Sequence, residues 1–184
     1  MSDQTPPTPP TPPAPPAGSG LPTGPLSPEQ DKLFASLSHA IPGGIAALTV
    51  LFGLIGSGWA MSILGVGIFA GFSWLMLLAV AAPAVFYFVF GPRGAWTKQE
   101  SLEGLNFQIW VVGLHAVVGI IAAIVGRSVY GFGDVGGIIA FLNVLGVINL
   151  ALLAASIFFS LQGYLAVNKG GAYRYPVTPI RFVK

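Results

Sequence analysis

The chain has 184 residues, of which 54% are hydrophobic and only 8% are charged. A water-soluble domain of this size could not cover so much apolar surface with polar groups, so the composition excludes a soluble globular protein and predicts an integral membrane protein. The net charge of +2 gives no reason to expect a nucleic-acid partner, and the lack of cysteine excludes disulfides, thiolate catalysis and Cys-ligated metal sites.

Three blocks contain no charged residue: residues 33–92, 104–126 and 135–168. A helix needs roughly 20 apolar residues to cross the hydrocarbon core of a bilayer. The first block is long enough for two helices and each of the others for one, so the pattern predicts an all-α fold, an integral membrane four-helix bundle. We expect the spans near residues 33–55, 60–90, 105–125 and 136–164, with the first break at Gly56-Ser57-Gly58-Trp59.

Residues 1–26 are dominated by proline and have too few apolar side chains to form a core. Proline fixes its φ angle and lacks a backbone N–H, so this composition predicts a disordered arm with polyproline character. We interpret the arm as a spacer or solubilising segment. Its Pro-x-x-Pro spacings are typical of SH3-type ligands, but any proline-dense tract contains them by chance.

The transmembrane domain, residues 27–168, begins with a helix-start signal. Ser27 can cap the first helix, Pro28 suits its first position, and Gln30 stands three residues after the cap, as a capping box requires. Further along, Pro42 and the two glycines that follow it predict a kink or a break in this helix.

A charged segment, residues 91–110, separates the second and third predicted helices. We expect a loop over its first part. Glu100 and Glu103 then lie near the start of the third helix, where carboxylates interact favourably with the positive end of the helix dipole.

Residues 169–184 form a tail that is rich in cations, aromatic residues and proline. Pro176 and Pro179 exclude a regular helix and bias their neighbours toward extended conformations, so we predict an extended tail. Its cations suit an anionic membrane surface, and its aromatic rings can insert at headgroup level. We predict contacts with a partner protein or with lipid headgroups for six residues of the tail: Arg174, Tyr175, Pro176, Arg181, Phe182 and Lys184.

The distribution of cations predicts the orientation. In a four-helix topology, seven cations fall on one side of the membrane and one, Arg127, on the other, whereas three helices would divide them six to two. Because cytoplasmic segments carry an excess of lysine and arginine, this bias favours four helices and places both termini in the cytoplasm. The seven cations are Lys32, Arg93, Lys98, Lys169, Arg174, Arg181 and Lys184.

Two histidines, His39 and His115, are the titratable residues within the apolar blocks. At about 1.5 Å per residue, the expected helix boundaries place them at depths that differ by about 6 Å, so together they could ligate a b-type haem. The simpler interpretation is that each forms hydrogen bonds to a backbone carbonyl or a serine, or lies near the lipid headgroups, because a bare pair of histidines has no diagnostic spacing.

Amide side chains also occur in or near the predicted spans, and Asn106, Gln108 and Asn149 are three of them. Hydrogen bonds between helices are the economical explanation for these amides and for His39. The alternative is that the amides line a polar path for a substrate.

Enzyme signatures are not found in the sequence. It contains no G-x-S-x-G, H-E-x-x-H or Walker A motif, and no pair of carboxylates in a pocket-forming segment. We therefore expect a protein that is not an enzyme, with no catalytic, cofactor-binding or metal-binding residues.

Three stretches carry a family resemblance: "LFASLSHAIPGG" at residues 33–44, "ESLEGLNFQIW" at 100–110 and "GAYRYPVTPIRFVK" at 171–184. They resemble a family of small bacterial four-helix membrane proteins grouped as a domain of unknown function. That family is similar, more distantly, to the Tic-twenty-like subunit of the chloroplast inner-envelope translocon. The resemblance covers residues 27–184 and implies a fold and a bacterial plasma-membrane location, while a translocon-like role follows only by analogy of fold.

From these patterns we expect a scaffold or accessory subunit of a membrane complex, which contacts lipids and either a membrane-protein partner or further copies of itself through its cytoplasmic face. The alternative is a small oligomeric unit for translocation or conduction.

Overall fold

The computed structural model of the chain describes residues 24–57, 73–128, 135–178 and 181–183. Four α-helices make up most of it: α1 (Pro28–Ser57), α2 (Leu75–Val85), α3 (Ala95–Ser128) and α4 (Val135–Asn168). A π-helical turn, Phe86–Phe90, and a 3₁₀ turn, Gly91–Arg93, extend α2. All four helical segments are long and apolar enough to cross a membrane, which confirms the predicted all-helical architecture with four such helices.

Successive helices run in opposite directions. The rings of Phe34, near the start of α1, and Phe90, just after α2, are 4.7 Å apart, and Thr49 contacts Met76 at the start of α2, so α2 runs antiparallel to α1. Asp31 forms a hydrogen bond with Thr97 near the first residues of α1 and α3, and further along both helices Ser38 lies against Gly104, so these two helices run parallel. Gly43 of α1 lies against Ser160 of α4, and Gly163 of α4 lies against His39, so α4 runs antiparallel to α1. The start of α1, the end of α2, the start of α3 and the end of α4 therefore meet at one end of the bundle, which we call the polar end.

The capping box predicted at the start of α1 is confirmed. The Gln30 N–H donates to Ser27 Oγ over 3.3 Å, and the Ser27 N–H donates to Gln30 Oε1 over 3.1 Å. A kink or a break was predicted at Pro42, and the break is wrong, because α1 continues through this residue to Ser57. Gly43 is needed for the close packing of α1 against α4. A Cβ on this residue would lie 2.8 Å from Ser160 Cβ and would push the two helices apart.

The other helix boundaries differ from the expected ones mainly at α2 and α3. α2 begins at Leu75, after the non-helical residues Ser73 and Trp74. The part of its expected span before residue 73 lies outside the described residues. So does the predicted disordered arm up to residue 23. α3 begins at Ala95, ten residues before the expected residue 105, so most of the charged segment is helix and not loop.

A cap supplied by α1 explains the early start of α3. The Asp31 carboxylate accepts hydrogen bonds from the backbone N–H groups of Trp96 (3.2 Å) and Thr97 (2.7 Å), and from the Thr97 hydroxyl (2.6 Å). These are N–H groups of the first turn of α3, which have no partner inside the helix. The negative charge also interacts favourably with the positive end of the helix dipole.

A short turn after α4 returns the chain to the bundle. Gly170 has a positive φ of 88°, a conformation that favours glycine. The Gly170 and Gly171 N–H groups donate to the carbonyls of Val167 and Ala166, a typical helix C-terminal motif. Residues 171–178 and 181–183 then contain neither helix nor strand and lie against the polar end.

Candidate functional site

A histidine–carboxylate pair lies at the centre of the polar end. Because α1 and α3 run parallel, they bring His39 beside Glu100, and His39 Nε2 lies 3.1 Å from Glu100 Oε2. Both side chains have no exposed surface. A buried carboxylate is costly unless partners satisfy it, and Glu100 also accepts a hydrogen bond of 3.2 Å from the backbone N–H of Tyr173.

The second nitrogen of the imidazole contacts the tail. The Tyr175 hydroxyl lies 2.7 Å from His39 Nδ1. Since the Glu100 carboxylate can only accept, Nε2–H is the donor to it, and in the neutral imidazole Nδ1 accepts from the Tyr175 hydroxyl. The histidine thus links a carboxylate on α3 to a phenol on the tail.

The ring of Tyr175 is part of the core. It stacks on Phe107 of α3 with ring centroids 4.0 Å apart and an angle of 8° between the planes, and only 6% of the residue is exposed. Burial raises the pKa of Tyr175 and that of Tyr173 above the ordinary value for tyrosine. Both hydroxyls are therefore neutral at physiological pH and keep the proton that they donate.

A glycine on α4 makes room for this cluster. A Cβ on Gly163 would lie 2.8 Å from the His39 ring and 3.1 Å from the ring of Tyr173. The Tyr173 hydroxyl donates to Gln162 Oε1 over 3.2 Å, which holds the start of the tail against α4. Three helices and the tail thus converge on His39.

Further along the tail, α3 binds residues 181–183 through two side chains one turn apart. The Asn106 amide forms a pair of hydrogen bonds with the backbone of Val183, in which Nδ2 donates to the carbonyl (3.0 Å) and Oδ1 accepts from the N–H (2.9 Å). Glu103 forms an ion pair of 2.7 Å with Arg181. The Phe182 ring packs near Trp110, with centroids 5.5 Å apart.

Glu103 and Asn106, which together bind residues 181–183, are called the clasp here, and their contribution to stability can be measured. Replacing Asn106 by leucine removes both hydrogen bonds to Val183, and we expect a loss of about 1–2 kcal/mol in the free energy of unfolding, since a typical hydrogen bond contributes about 1 kcal/mol. Trypsin should then cleave after Arg181 several times faster. Gln99→Leu, an exposed position on the same helix, is the matched control. Equal cleavage rates in both variants would show that the clasp does not hold the tail.

A second group of buried polar side chains lies deeper in the bundle. Gln108 of α3 forms hydrogen bonds of 3.4 Å with Ser156 and Ser160 of α4, and Ser160 also forms a hydrogen bond with Tyr175. Beyond these residues, His115 Nε2 accepts from the Ser73 N–H over 3.1 Å and contacts the Asn149 side chain. These amides and histidines bond to the chain's own groups in and between helices.

The structure argues against a haem between the two histidines. Measured from the contact of Asp31 with Thr97, His115 lies about 15 Å deeper than His39 at 1.5 Å per residue, because α3 starts earlier than expected. Both ring nitrogens of His39 already have protein partners. Within the described parts of the chain, no three His, Asp or Glu side chains are grouped so that they could hold a metal ion.

The six tail residues that the sequence singled out have different surroundings. Tyr175 points into the bundle, although we expected it at headgroup level, because its ring finds Phe107 and its hydroxyl finds His39. Arg174, Pro176 and Phe182 are exposed, Arg181 is exposed but paired with Glu103, and Lys184 lies outside the described residues. The partner or lipid contacts of this group stay a prediction.

Sequence reasoning missed the central role of Glu100 and the cap from Asp31. Glu100 was assigned to the helix dipole, whereas it pairs with a histidine 61 residues away. One signal could have identified it: a carboxylate and a histidine that both lie in helical, largely apolar segments satisfy each other best as a pair.

The contacts among His39, Glu100, Tyr173 and Tyr175, together with those of Glu103 and Asn106 to residues 181–183, attach the tail to the helices. We call this group of residues the joint. The side chains of its centre, His39, Glu100 and Tyr175, are buried and bonded to groups of the same chain. Chemically, the arrangement can hold a segment of the chain in place.

Comparison with known proteins identifies the family. Searches of the curated proteins and of the solved structures gave no match. A protein-family model described as the magnetosome magnetite crystal formation protein family, MamF_MmsF, matches residues 56–183. The match supports a small bacterial membrane family, as the resemblance implied, and gives no support to a similarity with the Tic-twenty-like subunit. Because the matched residues make up more than half of the chain and include the joint's residues on α3 and the tail, the chain belongs to the magnetosome magnetite crystal formation protein family.

Proposed function

We propose that this protein acts in the magnetosome membrane, where it takes part in magnetite crystal formation as a scaffold or accessory subunit and not as an enzyme. The family match carries this proposal, because the family is described by that process. The geometry of the joint is consistent with it. The buried polar groups hold the protein's own tail in place, and a rigid end of a bundle is what a scaffold needs in order to present a constant surface.

The surface we assign to this role is the exposed part of the polar end. Lys98, Lys169 and Arg174 are exposed there, and none of them pairs with a carboxylate within the described residues. Unpaired cations on one face attract acidic partner proteins or anionic lipid headgroups. The positive-inside rule assigns this face to the cytoplasm.

Reporter fusions test the orientation. We expect a fusion before residue 1 and a fusion after residue 184 both to report the cytoplasm, and a reporter inserted within residues 129–134 to report the opposite face. Opposite locations for the two terminal fusions would contradict the topology and with it the assigned surface.

The role itself is tested in a magnetosome-forming host. We expect deletion of the gene to change the size distribution of the magnetite crystals measured by electron microscopy. A variant with Lys98, Lys169 and Arg174 all replaced by glutamine should insert and fold normally. When this variant is affinity-purified from mild detergent, we expect several-fold less partner protein to be recovered with it. Arg127→Gln, at the other end of the bundle, is the control. Unchanged crystals after deletion would refute the role, and unchanged recovery would refute the surface.

The alternative, an oligomeric conduction unit, has its own test. Purified protein would raise the conductance of planar bilayers and lose this activity in Asn149→Leu. Asn106→Leu is a less specific variant, because Asn106 also holds the tail. The observed hydrogen bonds of Gln108 to Ser156 and Ser160 favour a packing role for these amides.

A further inference from the structure

An apolar groove runs along the outside of the bundle between α1 and α4. Its volume is about 350 Å³. The α1 side consists of small residues and the α4 side of larger ones; the lining is Ala40, Gly43, Gly44, Ala47, Ile157, Leu161 and Tyr164. We propose that this groove binds one acyl chain of an anionic phospholipid, with the phosphate held by cations at the polar end.

Two neighbouring glycines show that contacts within the chain do not account for the whole groove. Gly43 is required for helix packing, since a Cβ there would lie 2.8 Å from Ser160 Cβ. A Cβ on Gly44 would meet nothing within 4 Å. Glycine is among the poorest helix formers, so a glycine in open space weakens α1 without improving its packing. What Gly44 provides is the depth of the groove.

The position and size of the groove indicate a hydrocarbon chain as its occupant. Both helices are long and apolar enough to span a membrane, so in a bilayer the mouth of the groove would open toward lipid tails. The volume is within the range of roughly 300–1,000 Å³ found for small-ligand sites. In a bilayer the neighbours of α1 and α4 include lipid acyl chains, and a single flexible chain can follow an open apolar groove of this volume.

Charge at the polar end indicates an anionic headgroup. Tyr164, the polar residue of the lining, lies four residues before the end of α4 and hence about 6 Å from it. Lys169 lies five residues after Tyr164 and Arg174 lies in the tail at the same end of the bundle; both are exposed and neither is paired with a carboxylate in the described part of the chain. Among the described carboxylates, Glu29 is the one that is exposed. A phosphate at this level would meet a cationic surface, with the Tyr164 hydroxyl at the depth of the ester groups.

Native mass spectrometry of the purified full chain can test this directly. The probes are phosphatidylglycerol and phosphatidylcholine with identical acyl chains, added to the protein in mild detergent. We expect one phosphatidylglycerol to be retained at least fivefold more than phosphatidylcholine. Gly44→Leu, which fills the groove, should reduce the retention of both lipids at least fivefold. Replacing Lys169 and Arg174 by glutamine should abolish the preference while phosphatidylcholine retention stays unchanged.

Gly113→Leu is the matched control. Gly113 is also a helical glycine at which a Cβ would meet nothing within 4 Å, but it lies on α3 outside the groove, so this variant should retain lipid like the unmodified chain. Leu161→Trp fills the groove from α4 and replaces Gly44→Leu if that variant fails to fold. Equal retention in Gly44→Leu and Gly113→Leu would overturn the proposal. So would a change of oligomeric state in Gly44→Leu with unchanged lipid retention, since it would show that another helix packs there.

Discussion

Replacing Glu100 by leucine is expected to lower the free energy of unfolding by about 3–5 kcal/mol, the usual cost of removing one partner from a buried pair. His39 Nε2 would lose its acceptor inside the bundle, and the Tyr173 N–H would lose the carboxylate to which it donates. The measurement is a titration with a denaturing detergent in mixed micelles, followed by circular dichroism.

A double-mutant cycle separates this loss from a general effect of changing α3. The variant with both His39→Leu and Glu100→Leu should be more stable than the Glu100→Leu single variant, because apolar replacement of both members of a buried pair is often neutral. Gln99→Leu, exposed on the same turn of α3, should stay within about 0.5 kcal/mol of the unmodified chain. Strictly additive effects of the two single substitutions would show that His39 and Glu100 do not stabilise each other.

Replacing Tyr175 by alanine should have an effect of similar size, about 3–5 kcal/mol, as for other buried aromatic residues. The substitution removes the ring that stacks on Phe107 and the hydroxyl that bonds to His39. Tyr175→Phe keeps the ring and should cost about 1–3 kcal/mol, the penalty for leaving His39 Nδ1 without its partner. Detergent titration gives both values, and trypsin cleavage after Arg174 shows whether the tail is released.

An exposed neighbour serves as the control for the tail. Val177 is 50% exposed, so Val177→Ala should leave both stability and cleavage close to those of the unmodified chain. If Tyr175→Ala behaved like Val177→Ala, the tail would not be part of the folded core. Each of these outcomes is independent of the proposed role in magnetite formation, because they concern only the joint.

Local patterns in the sequence were sufficient for several features of this fold. Apolar blocks without charge predicted four helices, because a spanning helix needs little more than length and hydrophobicity. The capping box at Ser27 was also predictable, since its two partners are only three residues apart. These features depend on groups that are close in the chain.

Features that depend on distant partners were not predictable in the same way. The early start of α3 requires the Asp31 cap, and the burial of Glu100 requires His39. Without those partners, a segment with Lys98, Glu100 and Glu103 has the composition of a loop. Tyr175 is similar: an aromatic residue in a basic tail is typical of a membrane interface, and only Phe107 and His39 make the interior the better place for it.

The partners of His39 lie far along the chain, and this separation sets the order in which the joint can assemble. Because translation proceeds from the N-terminus, α1 reaches the bilayer while the codons for Glu100 and Tyr175, 61 and 136 residues further on, are still unread. The imidazole of His39 must meanwhile be solvated by water or by the insertion machinery. Maturation of this end of the molecule is therefore a late step, because it waits for Glu100 and Tyr175.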